Sequence, residues 1–593
     1  MVDIDRSDKN IILHDGRVVP YDTLVLAMGI QDKTLNSLKF ASWGIAPLPA
    51  GIRRCKGLLS IDDPYLYEYL KSESSLMTAL TDRRRPTNCV IYGRTLHTYA
   101  FVQGLLDRGV RPQNITFAIP DEECHVNEER DPLIEEDLPI IYPNAFEDTH
   151  IEEKIQKMLE EKGVTIIRNA KLIEIGTDKD NRSLESNKQP GFGTSTESEP
   201  EQQYDDNAQL ERILFRRLDM KEEEEEEDEI EIDEKSQSER ESQMTGGDES
   251  NIDLEDRSQM DGEHSGHEKK RKIKKNELEV YCKVLVSAGH RDVDQDVFKS
   301  IHDNGLVYNG RLIVDRNFQT TDPSIFAAGS LCEFSNRYKA LAQGRSLRMD
   351  RYNGREMGSR LARSVFDIYD PQTNPHNEAS QMDEELPLFF LPTGQGSVLP
   401  NNIIYYHIKT TNPMMLKAGN QEAKNRADLV CDNLDCTTGK GHFIKFTFNS
   451  IGLIDSVTYM GDEEVILQSL WSFVGLHENY LNQLTSRYDA GIIPNVVEFL
   501  SENWAIALYH EWFGDFCLRM RQGIQGLADV QVILGQAFDK TKHGQGLTRE
   551  NIDQFRKMMD PKTVKMIEEE TLEFIKTNMN HLPMYYIPGE EFE

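Results

Sequence analysis

Apolar positions along the chain fall into three kinds of segment. Residues 88–92 (NCVIY), 114–119 (NITFAI) and 164–167 (VTII) are short apolar runs of the kind a strand covered on both faces requires. Between them, residues 98–108 and 150–162 carry apolar side chains at three- and four-residue intervals, which predicts helices. Strand, helix, strand, helix, strand is the order of a doubly wound parallel sheet, so the expected fold class is α/β. After residue 385 the pattern changes. Residues 401–410 and 442–448 read as strands, and 454–459 pairs back on the latter as a hairpin through Asn449, Ser450, Ile451 and Gly452. From residue 465 helical periodicity dominates, and Asp560 followed by Pro561 marks the N-cap and first turn of a helix running to about Thr577.

Composition breaks this order once. Residues 178–275 hold 31 acidic and 16 basic residues, including KEEEEEEDEIEIDEK at 221–235 and KKRKIKK at 269–275. Like charges at that density cannot bury enough apolar surface to offset ordering entropy, so a mostly disordered, low-complexity insertion is expected. The basic run reads as a nuclear signal, a clamp for an acidic surface, or simply a solvated flank. One island, residues 210–219 (LERILFRRLD), has the pattern of a strand, and 278–287 (LEVYCKVLVS) of the next, which makes the acidic tract the loop of a large hairpin.

Charge and cysteine usage exclude some functions. Across 593 residues, 67 Lys and Arg stand against 102 Asp and Glu, a net charge of −35, which argues against a partner rich in phosphate, whether nucleic acid or anionic lipid. No apolar run approaches the roughly 20 residues of a bilayer span. The opening residues have no signal-peptide pattern, and eight cysteines are too few for a disulfide scaffold, so a reducing cytoplasmic compartment is expected. No metal-ligand spacing accompanies Cys431 and Cys436, and His97, His290, His302 and His510 have no nucleophile or carboxylate at a motif spacing, so no catalytic or metal residue is assigned.

Four segments, in order, carry a family likeness. YDTLVLAMG at 21–29, VIYGRTLHTYAFVQGLLDRG at 90–109, VLVSAG at 284–289 and GRLIVDRNFQTTDPSIFAAG at 310–329 resemble the strand-and-glycine segments of the pyridine nucleotide-disulfide oxidoreductases. The resemblance implies a Rossmann-like FAD/NAD(P)-binding fold and points to Gly29, Gly93, Gly329 and Ser330 as cofactor-binding positions in vestigial form. The nucleotide turn departs from GxGxxG: it reads Gly93, Arg94, Thr95, Leu96, His97, Thr98, with a branched side chain where the diphosphate would approach. Ser330 replaces the aspartate that holds the flavin in that family, and the family's redox cysteine pair is missing. Only 20 residues precede Tyr21, too few for the roughly 30-residue unit that would hold the ADP half of FAD, so either the first Rossmann domain is incomplete or the chain is part of a longer polypeptide. Residues 3–19 read instead as a hairpin turning at Asp15 and Gly16.

The implied organisation is an incomplete flavoprotein-like portion at 1–87, a second nucleotide-binding-like portion at 88–176, the insertion at 177–275, a return of the Rossmann-like domains with a basic helix at 276–370, a β-rich domain at 385–465 and a helical region at 466–593. The basic helix is read across 337–363, where Arg345, Arg348, Arg351 and Arg355 are the candidate partner-binding residues, facing calmodulin, another acidic protein surface, or water alone.

A reductase framework without its glycines, flavin aspartate and redox pair is also similar to a family of cilia- and flagella-associated proteins that joins degenerate flavoprotein-like segments, an acidic insertion and a C-terminal strand-and-helix region. That resemblance implies a non-catalytic assembly subunit of the axoneme at the radial spoke base, in the calmodulin- and spoke-associated complex. It further implies a role in cilium and sperm-flagellum motility, protein subunits of that complex as partners, and no working FAD or NAD(P). The alternatives are an FAD/NAD(P)-dependent oxidoreductase with an unorthodox cofactor site, and a cytosolic scaffold unrelated to cilia.

Overall fold

The computed structural model describes residues 3–13, 15–37, 39–40, 57–62, 80–81, 87–120, 145–146, 148–177, 209–217, 276–289, 291–341, 346–370, 386–387, 389–411, 428–435, 438–449, 452–462, 467–502, 504–505, 508, 510, 512–542 and 549–579. It opens with an antiparallel meander of Asp3–Asp5, Asn10–Ile12 and Val18–Pro20. The expected hairpin therefore has one turn more than anticipated. The extra turn forms because the Asp5 carboxylate accepts the backbone N–H groups of Ser7 and Asp8, each at 3.0 Å, a local bond that competes with strand pairing. Gly16, at the anticipated turn, has φ +80°, where glycine is favoured. Strand β1 (Leu24–Leu26) follows.

Five strands build the central sheet: β2 (Leu58–Ser60), β3 (Cys89–Gly93), β4 (Ile115–Ala118), β5 (Thr165–Ile167) and β6 (Val284–Ala288). Their spatial order is β5-β4-β3-β6-β2 and every pair is parallel. All residues of β3, β4 and β6 are buried, the physical counterpart of their uninterrupted apolar runs. Helix α1 (Leu96–Asp107) connects β3 to β4, and α2 (Thr149–Lys162) leads into β5. Asp148 caps α2 by accepting from His150 N, and Gly163 closes it with φ 95°.

Residues 278–287, read as one strand, are two. Glu277–Tyr281 pairs antiparallel with Leu210–Arg217, whereas β6 crosses into the parallel sheet, with Cys282 and Lys283 between them. The anticipated hairpin around the acidic tract is present, with Arg216 opposite Glu277. The expected disorder of 178–209 and 220–274 falls almost wholly outside the described residues. Helix α3 (Gln295–Asp303) leads to β7 (Ile325–Ala327), which runs parallel to β1 with Phe326 opposite Val25. Leu24, Leu26, Ile301, Phe326 and Phe334 share one core there.

The single basic helix expected over 337–363 is not formed. Asn336–Leu341 and Met349–Arg351 are short 3-10 turns, and only α4 (Gly354–Tyr369) is α-helical. Met349 and Tyr352 turn inward to the core, and Asn353 then starts a new helix by accepting from Arg355 N at 3.0 Å and Glu356 N at 3.3 Å.

The C-terminal sheet is antiparallel: β8 (Thr393–Leu399), β9 (Ile403–Lys409), β10 (Leu429–Asp432), β11 (His442–Phe448) and β12 (Ile454–Gly461), in the order β8-β9-β12-β11-β10. Leu399, Ile403, Tyr405, Phe443 and Met460 pack into the core of α1, α2 and Phe146, with the Tyr405 and Phe146 rings edge to face at 5.2 Å. Ile408, Ile444, Phe446, Val457 and Tyr459 pack instead with helix α5 (Leu467–Phe473) and the helices after it, including Pro561–Met579, which starts where Asp560 and Pro561 predict.

Burial pushes the Asp455 carboxyl up to about 6. An acid with a raised folded-state pKa costs stability as pH climbs from the ordinary carboxylate value through 6, because folding then demands a charge in a poor environment. Asp455→Asn should therefore gain stability relative to the native chain at pH 8 and show no such gain at pH 3.5. Denaturant midpoints at the two pH values check this, and equal differences at both would refute it.

Candidate functional site: the nucleotide turn and a basic helical face

The crevice where a doubly wound sheet binds its ligand lies beyond the C-terminal ends of the strands. Here that position holds the β3–α1 turn. Gly93 has φ +149°, and a Cβ on it would stand 2.5 Å from the Ala288 carbonyl oxygen and 3.0 Å from Thr98 Cγ2. The glycine is thus demanded by contact of β3 with β6 and α1, irrespective of any ligand. Thr98 is fully buried, and its hydroxyl donates to the Thr95 carbonyl oxygen at 2.6 Å. Thr95, the N-cap residue of α1, makes no side-chain capping bond, and its hydroxyl is buried without a hydrogen-bond partner.

Arg94 points across to α2. Its Nε and Nη2 donate to Glu152 Oε1 at 3.0 Å and Oε2 at 2.8 Å, and the Glu152 side chain is only 3% exposed. Tyr99 Oη donates to the same carboxylate at 3.0 Å, Gln156 Nε2 donates to Tyr99 Oη at 3.2 Å, and Arg168 Nε donates to Gln156 Oε1 at 2.9 Å. Burial, then the adjacent Glu152, hold the Tyr99 phenol well above its ordinary pKa, so it stays a donor. Glu152 also sits in the first turn of α2, where the helix dipole favours a carboxylate. Arg94, Tyr99, Glu152 and Gln156 satisfy one another beside the turn, while the Thr95 hydroxyl within it does not take part. Residues present at Thr95 and Thr98 do not fit the glycine cradle of a dinucleotide diphosphate.

On the flavin side, Gly29 (φ +66°) and Gly329 (φ +92°) follow the parallel strands β1 and β7, and Ser330 Oγ lies 3.2 Å from where a Gly29 Cβ would stand. Of the positions the sequence points to, the fold brings Gly29 and Ser330 together, whereas Gly93 belongs to the other sheet. Arg311 Nη1 donates to the Ser330 carbonyl at 2.8 Å. Cys431 is buried in β10, and Cys436 lies outside the described residues. Of the histidines, His302 is exposed and stacks on Phe298, His510 is buried among Trp512 and Phe574, His97 is exposed in the first turn of α1, and His290 lies outside the described residues. Among the described residues no cluster of His, Cys, Asp and Glu could hold a metal, and no helix is long and apolar enough to cross a membrane.

The arginines separate by role. Arg345 lies outside the described residues. Arg348 is engaged by Asp350, and Arg360 pairs with Glu356 at 3.0 Å while lying over the Phe389 ring at 5.0 Å. Glu356 also accepts from the backbone N–H groups of Phe390 and Leu391. Arg351, Arg355 and Arg363 are exposed. Arg355, Ser359 and Arg363 follow one another at four-residue steps on α4, and Phe366 and Tyr369 continue the exposed face at 69% and 61% exposure. Arg363 lies in the basic stretch read from the sequence, whereas Phe366 and Tyr369 are missed because that reading stops at residue 363 and the helix continues to Tyr369.

Fold and turn together define an α/β protein of Rossmann-like architecture whose β3–α1 turn packs Gly93 against Ala288 and pairs Arg94 with Glu152, with an antiparallel sheet and helices appended. Over its full length the chain is similar to cilia- and flagella-associated protein 61: it is 36% identical across 626 aligned residues to that protein of Tetrahymena thermophila, covering 100% of this chain and 35% of the relative. The chain thus spans about a third of the relative's length. Residues 387–508 match the CFAP61 dimerisation domain model. Among solved structures, similar ones include an FAD-dependent pyridine nucleotide-disulphide oxidoreductase from Desulfovibrio vulgaris (TM-score 0.41, 11% identity, 84% of this chain and 87% of that one) and an NAD-dependent persulfide reductase from A. fulgidus (TM-score 0.40, 13% identity, 82% and 62%). The fold assignment rests on the strand order itself.

Removing the Arg94 cation leaves the Glu152 carboxylate buried without its counter-charge. Arg94→Ala is expected to destabilise by about 3 kcal/mol, and a second change, Glu152→Leu, to recover part of the loss. Chemical denaturation of both variants tests this; additive losses would show that the pair is not coupled.

Proposed function

We propose that the chain is a non-catalytic assembly module of the cilium or flagellum, in which a reductase-type framework serves as a rigid protein-binding body. The observation that carries the reading is the turn at Gly93: Arg94 and Thr98 are bonded within the protein, and the side chains of Thr95 and Thr98 stand where a dinucleotide turn has glycine. The relative's name, cilia- and flagella-associated protein 61, supports placement in the ciliary cytoskeleton with axonemal proteins as partners. The finer reading is a subunit of the calmodulin- and spoke-associated complex at the radial spoke base, contributing to cilium and sperm motility. The match over residues 387–508 supports dimerisation through the antiparallel sheet and its first helices.

Two experiments test this. Titration with NADH or NADPH should give no saturable signal below about 1 mM, since a lone glycine turn cannot return the cost of association. Saturation at micromolar concentration, or a stoichiometric flavin absorbance in purified protein, would favour the oxidoreductase alternative, for which the approach of Gly29 and Ser330 is the supporting feature. For the partner surface, reversing Arg351, Arg355 and Arg363 to Glu should leave circular dichroism unchanged but weaken incorporation into the axoneme by about tenfold or more, because charge reversal is harmless in water and costly against an acidic partner. Normal incorporation would remove the basic face from the assembly.

A further inference from the structure

Strand β8 is the edge of the antiparallel sheet: β9 pairs with it along all seven residues, and among the described residues no strand lies on its other side. Exposed edges are ordinarily blunted by charge, an internal proline, a bulge or a covering helix or loop; α1 packs close to this strand, whose Gly394, Gly396 and Val398 nevertheless stay exposed. Here residues 387–400 (PLFFLPTGQGSVLP) contain no charged residue, although 28% of the chain is charged and about four would be expected in fourteen positions. The prolines flank the strand at Pro392 and Pro400 and leave Thr393–Leu399 uninterrupted, in seven-to-seven register with β9 and without a bulge.

One face of this edge is shaped. Gly394 and Gly396 are exposed, and aromatic rings lie directly on them: a Cβ on Gly394 would stand 2.6 Å from Trp471 Cζ2, and one on Gly396 would stand 2.4 Å from Tyr406 Cε1. The glycines let those rings flatten against the strand. Val398, next on the same face, projects at 47% exposure, and Trp471 retains 38%. Just before the strand, Phe390 and Leu391 are 66% and 44% exposed, with their backbone fixed by the bonds to Glu356 at 2.9 and 2.8 Å.

We propose that β8 pairs antiparallel with β8 of a second copy of this chain, about a two-fold axis at Gly396, joining the two five-stranded sheets into one. The proposal rests on the dimerisation reading and names its contact. The strand is self-complementary about that point: Val398 falls opposite the partner's Gly394, beside the Trp471 ring that covers it, and Gln395 falls opposite the partner's Ser397. No like charges meet. Pairing covers two exposed Val398 side chains and two Trp471 edges, and Phe390 and Leu391 extend the contact toward the roughly 800 Å² per partner that a stable dimer requires.

The test uses the whole 593-residue chain in sedimentation velocity at about 20 μM, where a micromolar contact is well populated. The native chain should sediment as a dimer, and Val398→Asp, an exposed change, should raise its dissociation constant about tenfold or more. Independently of that variant's folding, chains carrying Gln395→Cys and Ser397→Cys should form a disulfide-linked heterodimer when mixed and mildly oxidised, in excess of either variant alone. A native monomer overturns both the edge pairing and the dimerisation reading. A dimer that neither responds to Val398→Asp nor cross-links at these positions overturns the edge pairing alone and leaves dimerisation through another part of 387–508.

Discussion

Burial of the antiparallel sheet on both faces is the constraint on which the rest of the structure depends. Tyr405 and Phe443 enter the core of the parallel sheet and its helices, while Phe446 and Tyr459 enter the core of the C-terminal helices. A sheet loaded this way belongs to two cores at once, so neither can be removed without exposing apolar surface of the sheet. Lys445 reinforces the join by donating to Asp148 at 2.8 Å; this pairing holds the Asp148 carboxyl below its ordinary value despite partial burial. Asp148 is also the cap of α2, so the helix that supplies Glu152 to the turn is fixed by the sheet that follows.

That dependence bears on the β3–α1 turn. A working nucleotide turn must be open, glycine-rich and supplied with unpaired N–H groups, features that cost stability until a ligand arrives. Here Tyr99, Glu152 and Gln156 form a connected buried network with the half-buried Arg94, and the only glycine kept in the turn is the one whose Cβ would strike Ala288. What persists is what packing requires. The same division explains the arginines: Arg348 and Arg360 are tied to acids of their own chain, whereas Arg355 and Arg363 stand on an exposed helical face beside Phe366.

Much of this was legible in the sequence, for identifiable reasons. β3, β4 and β6 could be read because burial on both faces leaves an apolar run, and the hairpin of Ile454–Gly461 on His442–Phe448 because a turn separates two matched segments. The division of 278–287 was not readable, since Cys282 and Lys283 carry no turn signal and only tertiary pairing sends the two halves to different sheets. The false long helix had a similar origin: arginines recur at near-helical intervals there, but the inward-facing residues Met349 and Tyr352 and the cap at Asn353 set the boundaries. Glu152 was invisible as the partner of Arg94 and Tyr99 because these pairings arise from the packing of two helices, across separations of 58 and 53 residues.

The hairpin of Leu210–Arg217 and Glu277–Tyr281 has a consequence for how the chain can vary. The stretch from 218 to 275 departs and returns at directly opposed residues, Arg216 and Glu277, with Arg217 N bonded to the Asn276 carbonyl at 2.8 Å. Its two ends are therefore fastened to each other, and Leu210–Arg217 is also paired with Ala170–Thr177, so the register of these strands does not depend on how much polypeptide lies between. Lengthening such a connection twofold costs only about 0.6 kcal/mol in closure entropy. The position works as a splice port: sequence of any charge, including the glutamate run, can be inserted, trimmed or exchanged there while the sheets on either side keep their alignment.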